Sequence, residues 1–309
     1  VALDPVIAAA LDAMAAAGLP PMSSLEPAAL RAQAAAMPPV GRDLPMASVQ
    51  DRAVPGPEGP IPVRVYDPTG DAGAPVVVFL HGGGFVMGSL DGHDPVCREL
   101  ATRVGCIVVS VDYRLAPEHP YPAGLDDATA VVRWVRAHAA DVGGDPARVA
   151  VAGDSSGGNF AAAVSLRLLE AGEPVPLHQV LVYPVIDHAF DTASYERFAD
   201  GFFLSRDDMR WFWGHYLADD ADGARPDVSV LHAPSLAGLP PTTIVLADHD
   251  PLRDEGAAFG VWLEAAGVDV LVHEEPGTVH GYLNVFGPIP PAERSWEVIA
   301  RRLRGALGT

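Results

Sequence analysis

Val149-Ala150-Val151-Ala152-Gly153-Asp154-Ser155-Ser156-Gly157-Gly158 is the stretch that decides the fold. A short apolar run leads into a Gly-x-Ser-x-Gly turn, and an Ala- and Leu-rich stretch follows from Asn159 to about Ala171. That is strand, sharp turn and helix, with Ser155 at the apex. The spacing has a mechanical reason. The apex residue sits in a strained turn, and a side chain at Gly153 or Gly157 would collide with the neighbouring strand or helix. The turn presents the Ser155 hydroxyl upward and aims helix N-terminal N–H groups at the same spot, where they favour developing negative charge.

The rest of the chain bounds what such a serine can do. The 309 residues are 49% hydrophobic and 19% charged, which suits one large α/β domain with a lid, or two small domains. A formal net charge of −20 repels phosphate backbones and argues against nucleic-acid binding. All 20 basic residues are arginine. Without lysine there is no P-loop, no Schiff base and no Ser-Lys dyad. Cys97 and Cys106 do not make a disulfide framework, and Cys106, inside an apolar run, reads as a small buried hydrophobe. The N-terminal stretch lacks a basic region and carries Asp4 and Asp12, so it reads as a helix rather than a signal peptide. No apolar stretch approaches membrane-spanning length, and a cytoplasmic location is the default expectation.

Taken in order, the chain begins with two helices. Asp4-Pro5 is an N-cap followed by proline at the first helical position, and Glu26-Pro27 starts a second helix that ends before Pro38-Pro39. Ala47 to Val54 and Ile61 to Tyr66 read as an antiparallel hairpin across Pro55 to Pro60. From Val76 the rhythm changes to short apolar strands between helices: Val76 to Leu80, Cys106 to Val111, Val149 to Ala152, Leu177 to Val182, Thr243 to Ala247 and Val268 to Val272. Uninterrupted apolar strands of this kind form a parallel sheet covered on both faces, with reactive groups gathered at the strands' carboxyl ends. Residues from Phe190 to about Leu239 break the alternation. Within them Ser205-x-x-Asp208 is a capping box, and the helix after it places Met209, Phe212, Trp213, Tyr216 and Leu217 on one face, with Trp211 off it. That stripe serves packing first, and it is also well placed to wall an apolar pocket.

Three further segments supply partners for Ser155. His81-Gly82-Gly83-Gly84-Phe85 follows the strand Val76 to Leu80, and its glycines leave N–H groups free to hold an oxyanion. Losing one such donor costs about 2.7–4 kcal/mol of transition-state stabilisation. A dinucleotide fingerprint is the competing reading, but Gly82, Gly84 and Gly88 give G-x-G-x-x-x-G, one residue off the required spacing. An acid follows Thr243 to Ala247 in Asp248-His249-Asp250-Pro251. Position favours Asp250 and leaves Asp248 as a competitor, and either has the bland alternative of capping the next helix. A base follows the last strand: His280 in the loop beyond it, or His273 at its end. No His-Glu-x-x-His pattern supports metal catalysis.

Together these blocks resemble the hormone-sensitive-lipase-like carboxylesterases, the bacterial family IV esterases. His81-Gly-Gly-Gly-Phe85, Asp112-Tyr-Arg-Leu-Ala-Pro-Glu-His119, Gly153-Asp-Ser-Ser-Gly-Gly-Asn159, Asp250-Pro-Leu-Arg-Asp254 and His280-Gly281 occur in the family's order from Leu80 to Gly281. The resemblance implies an α/β-hydrolase fold with a mostly parallel eight-stranded sheet. It divides the chain into N-terminal cap helices (1–45), a first part of the core (46–189), a cap insertion (190–239) and a second part of the core (240–309). It selects Asp250 over Asp248 and His280 over His273 as partners of Ser155, and it assigns the oxyanion donors to the N–H groups of Gly83, Gly84 and Ser156. Ser156 departs from the family, which has alanine there; its hydroxyl is expected either to bond near the oxyanion or to compete for His280. Asp112 to Glu118 is expected to brace the glycine loop through Arg114–carboxylate pairing, a structural rather than a catalytic role.

The implied activity is hydrolysis of short- to medium-chain carboxylic esters through an acyl-enzyme, with a small-molecule ester as the partner, no cofactor and no metal. A homodimer is compatible with this reading. Amide, lactone or acyl-transfer chemistry would use the same groups. A non-catalytic binding protein, as in plant hormone receptors that resemble the family and have lost the catalytic histidine, is disfavoured by His280.

Overall fold

A computed structural model describes residues 1–309. Its frame is one eight-stranded sheet: β1 (Ser48–Gly56), β2 (Gly59–Asp67), β3 (Ala74–Leu80), β4 (Ile107–Val111), β5 (Gly144–Asp154), β6 (Gln179–Val182), β7 (Thr242–His249) and β8 (Val270–Val279). The strand order is β1-β2-β4-β3-β5-β6-β7-β8. β1 and β2 form the expected hairpin, and β2 meets β4 antiparallel. All pairings from β4 onward are parallel.

The central strands are apolar on both sides because both sides are covered. In β3, Val76, Val78 and Leu80 enter one core and Val77 and Phe79 the other. In β5, Val149 and Val151 alternate in the same way with Ala150 and Ala152. Each fully buried valine or leucine contributes roughly 1.5–3 kcal/mol, so a one-residue slip that exchanged the two sets would be costly.

The helices are α1 (Pro5–Ala16), α2 (Pro27–Ala36), α3 (Asp94–Val104), α4 (Ala123–His138), α5 (Ser156–Glu170), α6 (Ala193–Arg197), α7 (Arg206–Tyr216), α8 (Arg253–Ala265) and α9 (Pro290–Leu307). α4, α5 and α8 cover the first face, where α7 joins the same apolar cluster through Met209, Phe212, Trp213 and Tyr216. α3 and α9 cover the second face. The expected caps form. Asp4 accepts from Val6 N–H at 2.9 Å, and Ser205 and Asp208 close a reciprocal capping box. No helix is long and apolar enough to cross a membrane.

Two strand boundaries differ from expectation. β5 starts at Gly144, and β8 runs on to Val279 rather than stopping near Val272. The continuation of β8 through Glu274 and Glu275 is polar because β8 is the sheet's last strand, and its alternating exposure carries no apolar run to mark it. His280 therefore follows a strand end directly, and His273 lies inside β8.

His178, just before β6, is buried and bonds Thr243 Oγ1 through Nε2 at 2.9 Å. Burial, with Arg302 nearby, pushes it from the ordinary 6.5 down to about 4. Within that window the unfolded chain binds a proton that the folded chain refuses, so stability rises with pH and is lost as pH falls. Unfolding temperature measured against pH should therefore drop from about 6.5 to 4, and His178→Gln should flatten part of that drop.

Candidate active site

Ser155 lies between β5 and α5 with φ 55° and ψ −120°, a conformation a non-glycine residue adopts only under constraint. Its N–H donates to Val182 O at 2.8 Å, and its carbonyl accepts from Asn159 and Val185 at 3.1 Å each. The flanking glycines are required by contact. A Cβ on Gly153 would stand 2.2 Å from Gly157 O, and one on Gly157 would stand 2.0 Å from Leu80 O. The helix can start this close to β3 only without those atoms.

Ser155, His280 and Asp250 come together in series. His280 Nε2 lies 2.9 Å from Ser155 Oγ, and Nδ1 lies 2.7 Å from Asp250 Oδ2. A carboxylate only accepts, so Nδ1 carries the proton and Nε2 is left to accept from the serine hydroxyl. Asp250 is fully buried, and its other oxygen accepts from Leu252 N–H at 2.9 Å, which fixes the carboxylate at the strand end. The Tyr183 ring sits 4.6 Å from the imidazole and flanks it. The competitors go elsewhere. Asp248 accepts from Gly277 N–H at 2.9 Å and pairs with His249, and His273 pairs with Glu275 at 3.0 Å.

The loop after β3 packs against the same elbow: a Cβ on Gly157 would stand 2.5 Å from His81 O, and Gly82 N–H donates to Asp154. Gly83 and Gly84 have φ of 127° and 60°, and their N–H groups donate to no acceptor within the protein. Ser156, the first residue of α5, carries one of the N–H groups a helix start leaves unpaired. The Ser156 hydroxyl does not compete with Ser155 for His280. It is buried without a hydrogen-bond partner, and His280 bonds Ser155 instead.

Sequence reasoning missed what holds this loop. Asp154 Oδ1 accepts from Gly82 N–H at 2.8 Å, and Oδ2 accepts from Asn284 at 3.2 Å. His93 lies 3.5 Å from the same carboxylate. Burial pushes the Asp154 carboxyl up, but His93 and the Gly82 N–H outweigh it, so the net direction is down. Burial, with His93 nearby, lowers His81 to about 4. Tyr113 donates to His81 O at 2.6 Å, and Ala116 N–H donates to Phe85 O at 3.0 Å. Arg114 pairs instead with Asp127 at 2.8 Å and with Glu58. The expected brace therefore comes from Tyr113 and Ala116, because Arg114 turns away toward α4. No spacing rule flags Asn284 or His93, which reach Asp154 from separate segments.

α7 closes the site from above. A Cβ on Gly84 would stand 2.3 Å from the Phe212 ring, and Phe85 stacks on Tyr216 at 4.0 Å. The five residues of the expected stripe are buried, and Trp211 is only partly so.

A serine at a strand-to-helix elbow, a buried His–Asp pair and unpaired N–H groups on a parallel sheet define the serine-hydrolase class of α/β proteins. Residues 77–284 match the family described as the alpha/beta hydrolase fold. Carboxylesterase NlhH of Mycobacterium tuberculosis is 46% identical over 255 residues, covering 81% of this chain and 80% of that protein. Carboxylic ester hydrolase LipN of the same organism is 46% identical over 244 residues, and the alignment takes in 77% of this chain but only 65% of LipN. A thermostable esterase from Pseudomonas putida ECU1011 superposes with a TM-score of 0.94 at 37% identity, over 99% of this chain and 98% of that one. The chain belongs to the hormone-sensitive-lipase-like carboxylesterases of the α/β-hydrolase superfamily.

The contact at Gly157 gives a direct test. Gly157→Ala forces Cβ onto the backbone of Leu80, so it should destabilise the fold by about 1–3 kcal/mol in denaturant titration. Any folded fraction should lose esterase activity; a variant of wild-type stability and activity contradicts the elbow geometry.

Proposed function

We propose that the protein is a serine carboxylesterase acting on short- to medium-chain esters, with Ser155 as nucleophile, His280 as general base and acid, and Asp250 as the residue that orients the imidazole. The observation that carries the reading is the unbroken series of hydrogen bonds from Ser155 Oγ through both nitrogens of His280 to Asp250. His280 takes the serine proton as Oγ attacks the ester carbonyl. Charge developing on the carbonyl oxygen is held by the N–H groups of Gly83, Gly84 and Ser156. These donors act in a water-poor site and need no reorganisation as the charge forms. His280 then gives its proton to the departing alcohol and activates water against the acyl-enzyme. The buried Asp250 stabilises the imidazolium that forms at each step.

In this reading residues 1–45 and 190–239 make the cap, and 46–189 with 240–309 make the hydrolase core. The preference for shorter acyl chains is supported by the aromatic residues of α7 lying directly over the glycine loop.

Hydrolysis of p-nitrophenyl acetate, butyrate, octanoate and palmitate tests the proposal. Butyrate should be cleaved well and palmitate poorly, and Ser155→Ala should lose at least about 10³-fold in kcat. Asp250→Asn should lose on the order of 10²–10⁴-fold through the wrong tautomer of His280. A folded wild type that cleaves none of these esters would sink the reading.

A further inference from the structure

Arg31 lies on α2, far in sequence from every motif above, yet its guanidinium reaches the glycine loop. Nε donates to Val86 O at 2.6 Å and Nη2 to Ala116 O at 2.5 Å. Nη1 and Nη2 also hold the Glu118 carboxylate at 2.9 and 2.7 Å. Both carbonyls belong to segments that shape the loop. The N–H groups of Val86 and Met87 donate to Gly83 O at 3.1 and 2.9 Å, closing the turn that carries Gly83 and Gly84. Ala116 N–H donates to Phe85 O in the same turn. One planar fork therefore fixes two backbone carbonyls, and Glu118 fixes the fork.

The N-terminal segment is also tied to the other side of the loop. Ser23 N–H donates to Asp208 Oδ1 at 2.8 Å, at the start of α7. α7 in turn carries Phe212, whose ring occupies the space beside Gly84. The glycine loop is thus held from behind by Arg31 and covered in front by a helix that the same N-terminal segment anchors.

We propose that Arg31 is a positioning residue for the oxyanion donors, acting on Gly83 and Gly84 through the Val86 carbonyl. The proposal rests on the esterase reading of the site. The Arg31 guanidinium is taken up by Val86, Ala116 and Glu118, so it acts through the loop, in the step in which charge develops. The N–H groups must meet the oxyanion at about 2.7–3.1 Å, and a loop that relaxes from that position loses transition-state stabilisation while ground-state binding is kept. If Arg31 only glues α2 to the core, its loss lowers stability and leaves turnover alone.

Kinetics on p-nitrophenyl butyrate separate these cases. Arg31→Met should lower kcat about tenfold with KM within about twofold of wild type, and Arg31→Lys, which keeps the charge but not the planar fork, should recover part of the loss. Arg133→Met removes an exposed pair with Glu173 far from the site and should turn over as wild type does. A folded Arg31→Met with wild-type kcat, or one whose loss is a rise in KM, overturns the proposal. If Arg31→Met does not fold, the same criterion applies to Arg31→Lys: wild-type kcat overturns the proposal, and a lowered kcat at constant KM upholds it. An active wild type beside an inactive Ser155→Ala keeps the esterase reading whichever way Arg31 falls. An inactive wild type overturns both.

Discussion

The close approach of α5 to the end of β3 is the constraint on which the rest of this structure depends. The helix begins where no side chain fits at Gly157, because the carbonyl of Leu80 already fills that space. That approach brings two things to one point. One is Ser155, forced into a backbone conformation that lifts its hydroxyl off the sheet. The other is the loop that leaves β3, whose Gly83 and Gly84 N–H groups have no acceptor within the protein. A helix set further back would be easier to build and would separate the serine from those donors. The strain at Ser155, on the order of 1–3 kcal/mol, is offset by the hydrogen bonds that hold its N–H and carbonyl on both sides.

Charge around the elbow is arranged in two layers. Above the sheet, Asp250 faces His280 and sets its tautomer. Beneath the serine, Asp154 gathers Gly82, His93 and Asn284 from three separate parts of the chain. A buried carboxylate is costly unless its oxygens are satisfied, and here those contacts also hold the base of the glycine loop. Arg31 adds a third point of support from outside the sheet. In the proposed mechanism the donors that meet the reacting carbonyl are thus fixed by other groups, as preorganised electrostatic stabilisation requires.

Much of this was legible in the residue order. The two-sided apolar strands announced a covered parallel sheet, and the glycines at 153 and 157 announced the tight elbow, because both follow from local sterics and burial. The reading of β8 stopped early, since an edge strand exposed along much of its length carries no continuous apolar run. The carboxylate partner of Arg114 was not legible, for another reason. Pairing of a long side chain depends on where α4 delivers Asp127, which no local pattern encodes. The same limit hid Asn284, His93 and Arg31, each of which matters only through contacts with segments distant in sequence. Ser156 marks the opposite case: the sequence flagged it, and its hydroxyl turns out to be buried without a hydrogen-bond partner.

In the proposed mechanism Ser155 Oγ is the atom acylated. Reaction with a p-nitrophenyl alkylphosphonate, followed by intact mass and peptide mapping, tests it most directly. The expected result is one phosphonyl group per chain, carried by Ser155, with p-nitrophenol released in equal amount and ester hydrolysis lost in proportion. A label on Ser156 or another serine, or hydrolysis that persists in a fully labelled protein, would contradict it.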